Sequence, residues 1–158
     1  MITALDTNVL LDLLIPDSRH ADASQRALDA VLAEGALVIG EVVYAELASQ
    51  FPTADELNRF LDETHIRLDP SPPEALWQAA QAWHRYLARQ GRAFRCPKCG
   101  RQVTVACSGC GERISGRQHI LSDFLVGGHA LTQADRLLTR DRGFYGSCFP
   151  KLVIVAPG

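Results

Sequence analysis

Four acidic residues stand where they could do chemistry together. They are Asp6 and Asp141, which follow predicted strands, Glu46, on the helix after the second strand, and Asp123, which opens the helix before the fourth strand. The carboxyl ends of parallel strands converge on one crevice, so acids far apart in sequence can meet there. Four like charges are costly unless cations neutralise them, and hard oxygen ligands favour Mg²⁺ or Mn²⁺. A divalent-cation site is therefore one interpretation of these residues.

Each acid also has a structural interpretation. Asp6 and Asp141 could cap helices, and Asp123 could be a first-turn acid that the helix dipole favours. Glu46 could be a solvated residue on the surface of its helix. Composition and periodicity alone do not decide between these roles and a metal cluster.

Four cysteines form a second group with chemical potential. Cys96 and Cys99 make one C-x-x-C turn, Cys107 and Cys110 make another, and seven residues separate the two turns. Four thiolates at this spacing are a tetrahedral ligand set for Zn²⁺, and a closed site of this kind is structural rather than catalytic. The competing interpretations are two disulfides or a redox site, which a cytosolic protein rarely carries. We predict one structural zinc.

Alternating strands and helices must position these residues. The predicted strands are residues 1–5, 37–39, 65–68, 136–139 and 152–155. The predicted helices are residues 9–15, 21–33, 41–49, 53–63, 71–87, 120–131 and a single turn at 141–145. This alternation predicts an α/β fold with a central, mostly parallel sheet flanked by helices.

The helix at residues 71–87 has the best sequence signal in the chain. Ser71 can cap its first turn, and Glu74 would complete a capping box. Apolar residues then recur at helical spacing, namely Leu76, Ala79, Ala80, Trp83 and Leu87. This stripe predicts the face that packs on the core.

The chain changes character after Gly91. Residues 95–117 lose helical periodicity and contain the four paired cysteines, so we predict an inserted zinc ribbon with a small hairpin at residues 103–105. The principal domain is then residues 1–94 and 118–158. A hairpin this small buries too little surface to be ordered alone, so metal binding would supply its folding energy.

Length and composition exclude several classes of protein. A chain of 158 residues favours one principal core, and 47% hydrophobic with 22% charged residues excludes disorder for most of it. Its longest apolar runs, such as residues 36–39, are far shorter than the roughly 20 residues that span a bilayer. Asp6, Asn8 and Asp12 interrupt any signal-peptide pattern. We expect a cytoplasmic protein with no membrane partner.

Charge is unevenly distributed along the chain. The net charge is −2, but residues 1–91 carry −8 and residues 92–158 carry +6. A basic C-terminal part could meet phosphates, or it could simply be solvated surface. The candidate phosphate contacts are Arg113, Arg117, Arg140 and Arg142.

Four local sequences, in this order, resemble the PIN-domain nucleases, including the VapC-type toxins. They are LDTNVL (5–10), VVYAEL (42–47), LSDFLVGGHA (121–130) and LLTRDRGF (137–144). The resemblance covers nearly the whole chain except the cysteine insert. That insert, which lies just before Asp123, departs from the compact family pattern, so the resemblance does not extend to substrate access and partner binding. The resemblance implies a PIN-like fold.

The resemblance also implies roles for individual residues. The four acids Asp6, Glu46, Asp123 and Asp141 would be the catalytic ligands of Mg²⁺ or Mn²⁺. Their hydrogen-bonding neighbours would be Asn8 and Thr139. Beside the resemblance, Arg117 and Arg140 are the candidate substrate-binding residues among the arginines named above. Asp135 is an additional candidate acid for the same pocket.

The implied activity is hydrolysis of RNA phosphodiester bonds by a divalent-metal-dependent ribonuclease. Such a protein would be the toxin of a type II toxin–antitoxin pair, with a cognate antitoxin protein as its partner. A homodimer is left open. The alternative is a non-catalytic module that binds RNA or protein through the zinc ribbon, and the intact set of four acids favours the nuclease.

Overall fold

The computed structural model describes residues 1–15, 19–89, 94–95, 101–114 and 120–158. The strands in this part of the chain are β1 (Ile2–Leu5), β2 (Ala36–Ile39), β3 (Ile66–Leu68), β4 (Phe94–Arg95), β5 (Gln102–Val103), β6 (Val105–Ala106), β7 (Arg113–Ile114), β8 (Arg136–Leu138) and β9 (Ile154–Val155). The helices are α1 (Thr7–Leu14), α2 (Ala21–Glu34), α3 (Glu41–Ala48), α4 (Ala54–Glu63), α5 (Pro73–Arg89), α6 (Leu121–Gln133) and α7 (Arg142–Cys148).

The main sheet has five strands in the order β3-β2-β1-β8-β9. All four pairings are parallel, and the central strand β1 sets Thr3 beside Leu37 of β2 and Arg136 of β8. Parallel neighbours end at the same edge, so whatever follows β1, β2 and β8 emerges on one side of the sheet. The prediction of a parallel α/β sheet flanked by helices is confirmed.

The core sits on the sheet and under the helices that cover it. Strand residues such as Val38, Ile39 and Leu137 are fully buried. A continuous apolar run of this kind is typical of a parallel strand that is covered on both faces. No helix in the described ranges is both long and apolar enough to cross a membrane.

Helices α5 and α6 approach each other very closely. A Cβ atom added at Gly128 of α6 would lie 2.4 Å from the carbonyl oxygen of Ala75 and 2.9 Å from the Cβ atom of Ala79 on α5. Only small residues fit this crossing, because a larger side chain on either helix would force the backbones apart.

That crossing rotates α5 away from the predicted orientation. Ala75, Ala79 and Ala82 are buried, and Trp83 is half-buried. Three members of the predicted stripe are exposed instead: Leu76, Ala80 and Leu87. The predicted stripe was therefore partly wrong, because close backbone packing selected the small side chains.

Ser71 has a different role from the predicted helix cap. Helix α5 begins at Pro73, and both the backbone N–H and the hydroxyl of Ser71 donate to Glu41 Oε2, at 3.0 and 2.9 Å. The residue therefore ties the segment before α5 to the start of α3.

Two short antiparallel pairs of strands lie in the described residues in and just before the insert. Strand β4 pairs with β5, and β6 pairs with β7. Val103 and Val105 belong to different pairs, so the predicted single hairpin at residues 103–105 is wrong. Cys96, Cys99 and Arg117 lie outside the described residues.

Candidate acidic active site

The carboxyl edge of the sheet positions the first part of the site. Asp6 directly follows β1, and its backbone N–H donates to the carbonyl oxygen of Leu138, the last residue of β8, at 3.0 Å. Thr139 directly follows β8 and is fully buried. The parallel pairing of β1 and β8 thus brings Asp6 and Thr139 together, although they are 133 residues apart.

Asp6 is held by side chains and does not cap a helix. It occupies the N-cap position of α1 but makes no capping hydrogen bond from its side chain. Its Oδ2 atom instead accepts from Asn8 Nδ2 and from Thr139 Oγ1, both at 2.6 Å. The helix-cap interpretation of Asp6 is therefore wrong, and the carboxylate is directed toward the sheet edge.

The electrostatics of Asp6 indicate a crowded acidic pocket. Burial, which leaves the residue 8% exposed, raises the pKa of Asp6 to about 6. Hydrogen bonds from Thr139 and Asn8 oppose this rise in pKa, whereas the nearby charges of Asp123 and Glu46 add to it. A buried carboxyl group beside other carboxylates is poorly stabilised as an anion, and strongly perturbed groups of this kind concentrate at functional sites.

Asn8 and Thr139 form a small network around Asp6. Besides donating to Asp6, Thr139 Oγ1 accepts from Asn8 Nδ2 at 3.2 Å and from the backbone N–H of Asp141 at 3.0 Å. Asn8 Oδ1 accepts from the backbone N–H of Arg140 at 3.1 Å. Both predicted neighbours lie beside Asp6, where their polar atoms orient the acid and the segment that carries Asp141.

Asp123 and Asp141 fit both interpretations that the sequence left open, because each makes a hydrogen bond at the start of a helix and each lies near the acidic pocket. Asp141 Oδ1 accepts from the backbone N–H of Phe144 and caps α7 at 3.0 Å, while Asp123 Oδ2 accepts from the backbone N–H of Ile120 at 2.8 Å. Each of these contacts uses one carboxylate oxygen. The charges of both acids, like that of Asp6, also act on the buried Tyr145.

Glu46 reaches the site from α3. Its Oε2 atom accepts a hydrogen bond from Thr7 Oγ1 in the first turn of α1, and its charge acts on Asp6. Glu46 is therefore tied to the neighbouring helix, although the residue as a whole is exposed. The interpretation as a merely solvated side chain is wrong.

The four acids are neighbours but do not form a finished ligand cage. Among the residues that the structure describes, no three His, Cys, Asp or Glu side chains converge closely enough to hold a metal ion. Mutual repulsion favours separation of carboxylates, and Glu46, Asp123 and Asp141 each accept a hydrogen bond elsewhere, from Thr7, Ile120 and Phe144 respectively.

Asp135 does not belong to this pocket. Its Oδ2 atom accepts from the backbone N–H of Ile2 at 2.7 Å. Ile2 opens β1 and Asp135 precedes β8, so the contact lies at the amino end of the strands. The prediction of an additional acid in the pocket is wrong, because a residue before a parallel strand and one after it lie at opposite edges.

The Arg140 side chain makes intramolecular contacts. Its Nε atom lies 2.9 Å from Oδ2 of Asp12 on α1, and its Nη2 atom lies 3.4 Å from the carbonyl oxygen of Asn8. Arg142 is exposed on the first turn of α7. The side chain of Arg113 is not among those that the structure describes.

The sequence interpretation missed Tyr145. This residue lies on α7 and is only 2% exposed. Burial raises the pKa of Tyr145 far above its usual range, and Asp6, Asp123 and Asp141 raise it further. The sequence signal that could have identified Tyr145 is its four-residue spacing from Asp141, because this spacing places two residues on one face of a helix.

The described C-x-x-C pair of the insert forms a turn around the sulfur of Cys107. Hydrogen bonds from the backbone N–H groups of Cys110 and Gly109 lower the pKa of the Cys107 thiol. The backbone N–H of Gly111, which adopts a φ of 74°, donates to the carbonyl oxygen of Cys107 at 2.9 Å. Such a turn stabilises a thiolate, the form that binds metals.

A parallel sheet with carboxylates gathered at its carboxyl edge defines an α/β protein with an acidic pocket. The sequence profile of the PIN domain matches residues 3–93, which is more than half of the chain. The chain therefore belongs to the PIN domain family. The matched region contains Asp6, Asn8 and Glu46, whereas Asp123 and Asp141 lie beyond it. No curated protein sequence matches the chain significantly.

Two solved structures have a similar fold. The crystal structure of VapBC2 from Rickettsia felis, bound to a DNA fragment from their promoter, contains a chain with a TM-score of 0.63 and 16% identity, covering 99% of this chain and 98% of that chain. A chain in the structure of VapBC-1 from nontypeable Haemophilus influenzae has a TM-score of 0.61 with the same identity and coverage. Identity at this level shows a common fold.

Proposed function

We propose that the protein is a ribonuclease that hydrolyses RNA phosphodiester bonds and depends on a divalent metal ion. The observation that carries this proposal is the state of Asp6, a buried carboxyl group with a pKa of about 6 next to Asp123 and Glu46. A PIN domain with such a pocket at the carboxyl edge of its sheet is suited to bind a cation and a phosphodiester there.

The donor set fits Mg²⁺ or Mn²⁺, because every candidate ligand is a carboxylate oxygen. The residues that would hold the ion are Asp6, Glu46, Asp123 and Asp141. When bound, the cation would polarise the phosphodiester and lower the pKa of an attacking water. Asn8 and Thr139 orient Asp6 through the hydrogen bonds to its Oδ2 atom. In-line attack by water leaves a 5′-phosphate and a 3′-hydroxyl, so no Ser or Cys nucleophile is required.

Cleavage of labelled RNA by the purified, metal-depleted protein tests this function. We expect no cleavage in EDTA, cleavage that increases with added Mg²⁺ or Mn²⁺, and products that carry 5′-phosphates. DNA of the same sequence would show whether the sugar matters. Products with 3′-phosphates, or equal rates in EDTA, would contradict the mechanism. RNA binding without cleavage at any metal concentration would favour the alternative, a non-catalytic binding module.

We also propose that the protein is the toxin of a type II toxin–antitoxin pair that acts in the cytoplasm. The similarity of its motifs to VapC-type toxins and the fold that it shares with the two VapBC structures support this role. A cognate antitoxin protein would then be its partner and would cover the acidic pocket. Expression of the chain alone should arrest growth, and co-expression of a small neighbouring gene should relieve the arrest; harmless expression would contradict the toxin role.

The insert at residues 95–117 is proposed to be a zinc ribbon between two parts of the PIN domain, residues 1–94 and 118–158. In sequence, Cys96 and Cys99 fall between β4 and β5, while Cys107 and Cys110 fall between β6 and β7. Each C-x-x-C pair is thus flanked by its own antiparallel strands. This arrangement and the backbone N–H groups directed at the Cys107 sulfur support a single tetrahedral Zn²⁺.

Elemental analysis tests the ribbon directly. The purified protein should contain about one zinc ion per chain, and Cys107→Ser should lose it while the helical signal of the α/β core persists. Cys148→Ser is the matched control, because Cys148 lies on α7 outside the insert and should leave the zinc content unchanged. Folded, fully reduced wild-type protein without zinc would contradict the proposal.

A further inference from the structure

Helix α5 has an apolar side that is exposed to solvent. Trp77 is 64% exposed, Leu76 43% and Leu87 37%. The opposite side of α5 is occupied, because Ala75 and Ala79 pack against Gly128 of α6. Single apolar side chains on a surface are common, whereas several that lie together mark an interaction site.

The exposed apolar residues of α5 share one face of the helix. At about 3.6 residues per turn, Leu76, Ala80 and Leu87 fall nearly in one line along the helix, and Trp77 lies about 100° around the helix from Leu76. The exposed residues within this arc of about 120° form what we call the α5 face, and none of them carries a full charge. They are Leu76, Trp77, Ala80, His84, Leu87 and Ala88.

Two charged residues follow one edge of the α5 face. Glu74 lies in the first turn of α5 and Arg85 lies near its carboxyl end, and both are exposed. Neither side chain has an ion-pair partner in the part of the chain that the structure describes. Glu74 is six residues before Ala80 and Arg85 is five residues after it, so the opposite charges lie almost symmetrically about Ala80.

This symmetry makes the α5 face complementary to itself. When two copies of α5 pack antiparallel about a two-fold axis near Ala80, Glu74 of each copy lies beside Arg85 of the other. A parallel pair would instead set like charges against each other. The small side chain of Ala80 allows the two helices to approach closely at the axis. Trp77 lies close to the axis, and tryptophan is among the residues that contribute most to the energy of an interface.

We propose that the α5 face is the interface of a homodimer, in which α5 packs antiparallel against α5 of a second copy of this chain. The proposal commits to a second copy because the charges at the two ends of one helix complement each other. It uses no residue of the acidic pocket, so it stands or falls independently of the proposed function.

Sedimentation velocity of the purified full chain under reducing conditions tests the oligomeric state. We expect the mass of two 17.3 kDa chains, and dissociation on dilution. Ala80→Glu places like charges on both sides of the two-fold axis and should raise the dissociation constant by about 100-fold or more. Ala30→Glu is the matched control, because Ala30 is an exposed alanine of α2 and its replacement should leave the dimer unchanged.

Charge reversal tests the antiparallel arrangement. Glu74→Arg alone, or Arg85→Glu alone, sets like charges against each other at both ends of the interface, and each should weaken the dimer by about 10-fold. The double variant Glu74→Arg/Arg85→Glu restores opposite charges between antiparallel helices and should recover most of the wild-type affinity. In a parallel pair the double variant would keep like charges opposed and would show no recovery.

Tryptophan fluorescence of the wild-type chain covers the case in which Ala80→Glu fails to fold. Quenching by iodide should weaken as the chain concentration rises through the dissociation constant, because Trp77 becomes covered. A wild-type chain that stays monomeric at about 0.1 mM would overturn the proposal, even if another protein binds the α5 face. A dimer that survives Ala80→Glu, quenching that does not depend on concentration, or charge reversals without recovery in the double variant would overturn it as well.

Discussion

Replacing Asp6 with asparagine should abolish metal-dependent RNA cleavage while leaving the protein folded. Asparagine keeps the size of the side chain and an acceptor for Asn8 and Thr139, which donate to Asp6 Oδ2 at 2.6 Å. It removes the negative charge that holds a divalent cation. Metal ions contribute several kcal/mol to such reactions, and each 1.36 kcal/mol is tenfold in rate, so we expect a loss of at least about 1,000-fold.

The same substitution should stabilise the metal-free protein. Folding raises the pKa of Asp6 from 3.8 to about 6, so the folded state binds the proton more tightly than the unfolded state does. The ionised carboxylate therefore costs stability, and the cost grows as the pH rises from about 4 to about 6. At pH 7 the cost is on the order of 2–3 kcal/mol, and Asp6→Asn should recover much of it.

Denaturant unfolding in EDTA at pH 4 and pH 7 measures this effect. The stability difference between Asp6→Asn and wild type should be small at pH 4 and should favour the variant at pH 7. Asp135→Asn is the matched control, because Asp135 is exposed at the opposite edge of the sheet and also accepts one backbone N–H. It should change neither cleavage nor the pH dependence. Wild-type cleavage in Asp6→Asn would reject the metal-cluster mechanism.

The sequence predicts the architecture because local and global signals agree. Apolar runs such as 37–39 and the alternation of strands with helices point to a buried parallel sheet, which the structure contains. The packing face of α5 was harder to predict, because hydrophobicity favours Leu76 while the close crossing at Gly128 selects Ala75 and Ala79. Such a crossing depends on both helices, so the periodicity of one helix does not predict it.

The candidate site, too, was predictable only in part. The rule that strand ends converge places Asp6 and Thr139 together, as observed, because both residues follow their strands. Asp135 precedes β8 and therefore lies at the amino end of that strand. The same rule then excludes Asp135 from the acidic pocket. Tyr145 was not predicted as a residue of the pocket, because an aromatic residue next to Phe144 is expected in the hydrophobic core. Its closeness to the charges of Asp6, Asp123 and Asp141 arises only when α7 packs beside the ends of the strands.

Arg140 is the residue for which the sequence and the structure suggest different roles. As a basic residue between Thr139 and Asp141, it is a natural candidate for an RNA phosphate contact. In the structure it pairs with Asp12, whose side chain is 6% exposed, while its own side chain is 36% exposed. Asp12 Oδ2 also accepts from Ser24 Oγ at 2.7 Å, so the pair joins α1, α2 and the segment after β8.

Replacing Arg140 with alanine should therefore lower the free energy of unfolding by about 2–3 kcal/mol. Removing one partner of a buried ion pair commonly costs 3–5 kcal/mol, and the partial exposure of Arg140 and the remaining bond from Ser24 reduce that cost. Adding Asp12→Asn to Arg140→Ala should restore part of the loss, because the two side chains interact directly and their effects are not additive. Arg142→Ala, at an exposed position two residues away, should stay within about 0.5 kcal/mol of wild type. If Arg140 served only as a phosphate contact, Arg140→Ala would instead raise the KM for RNA at unchanged stability, and the double variant would show no recovery.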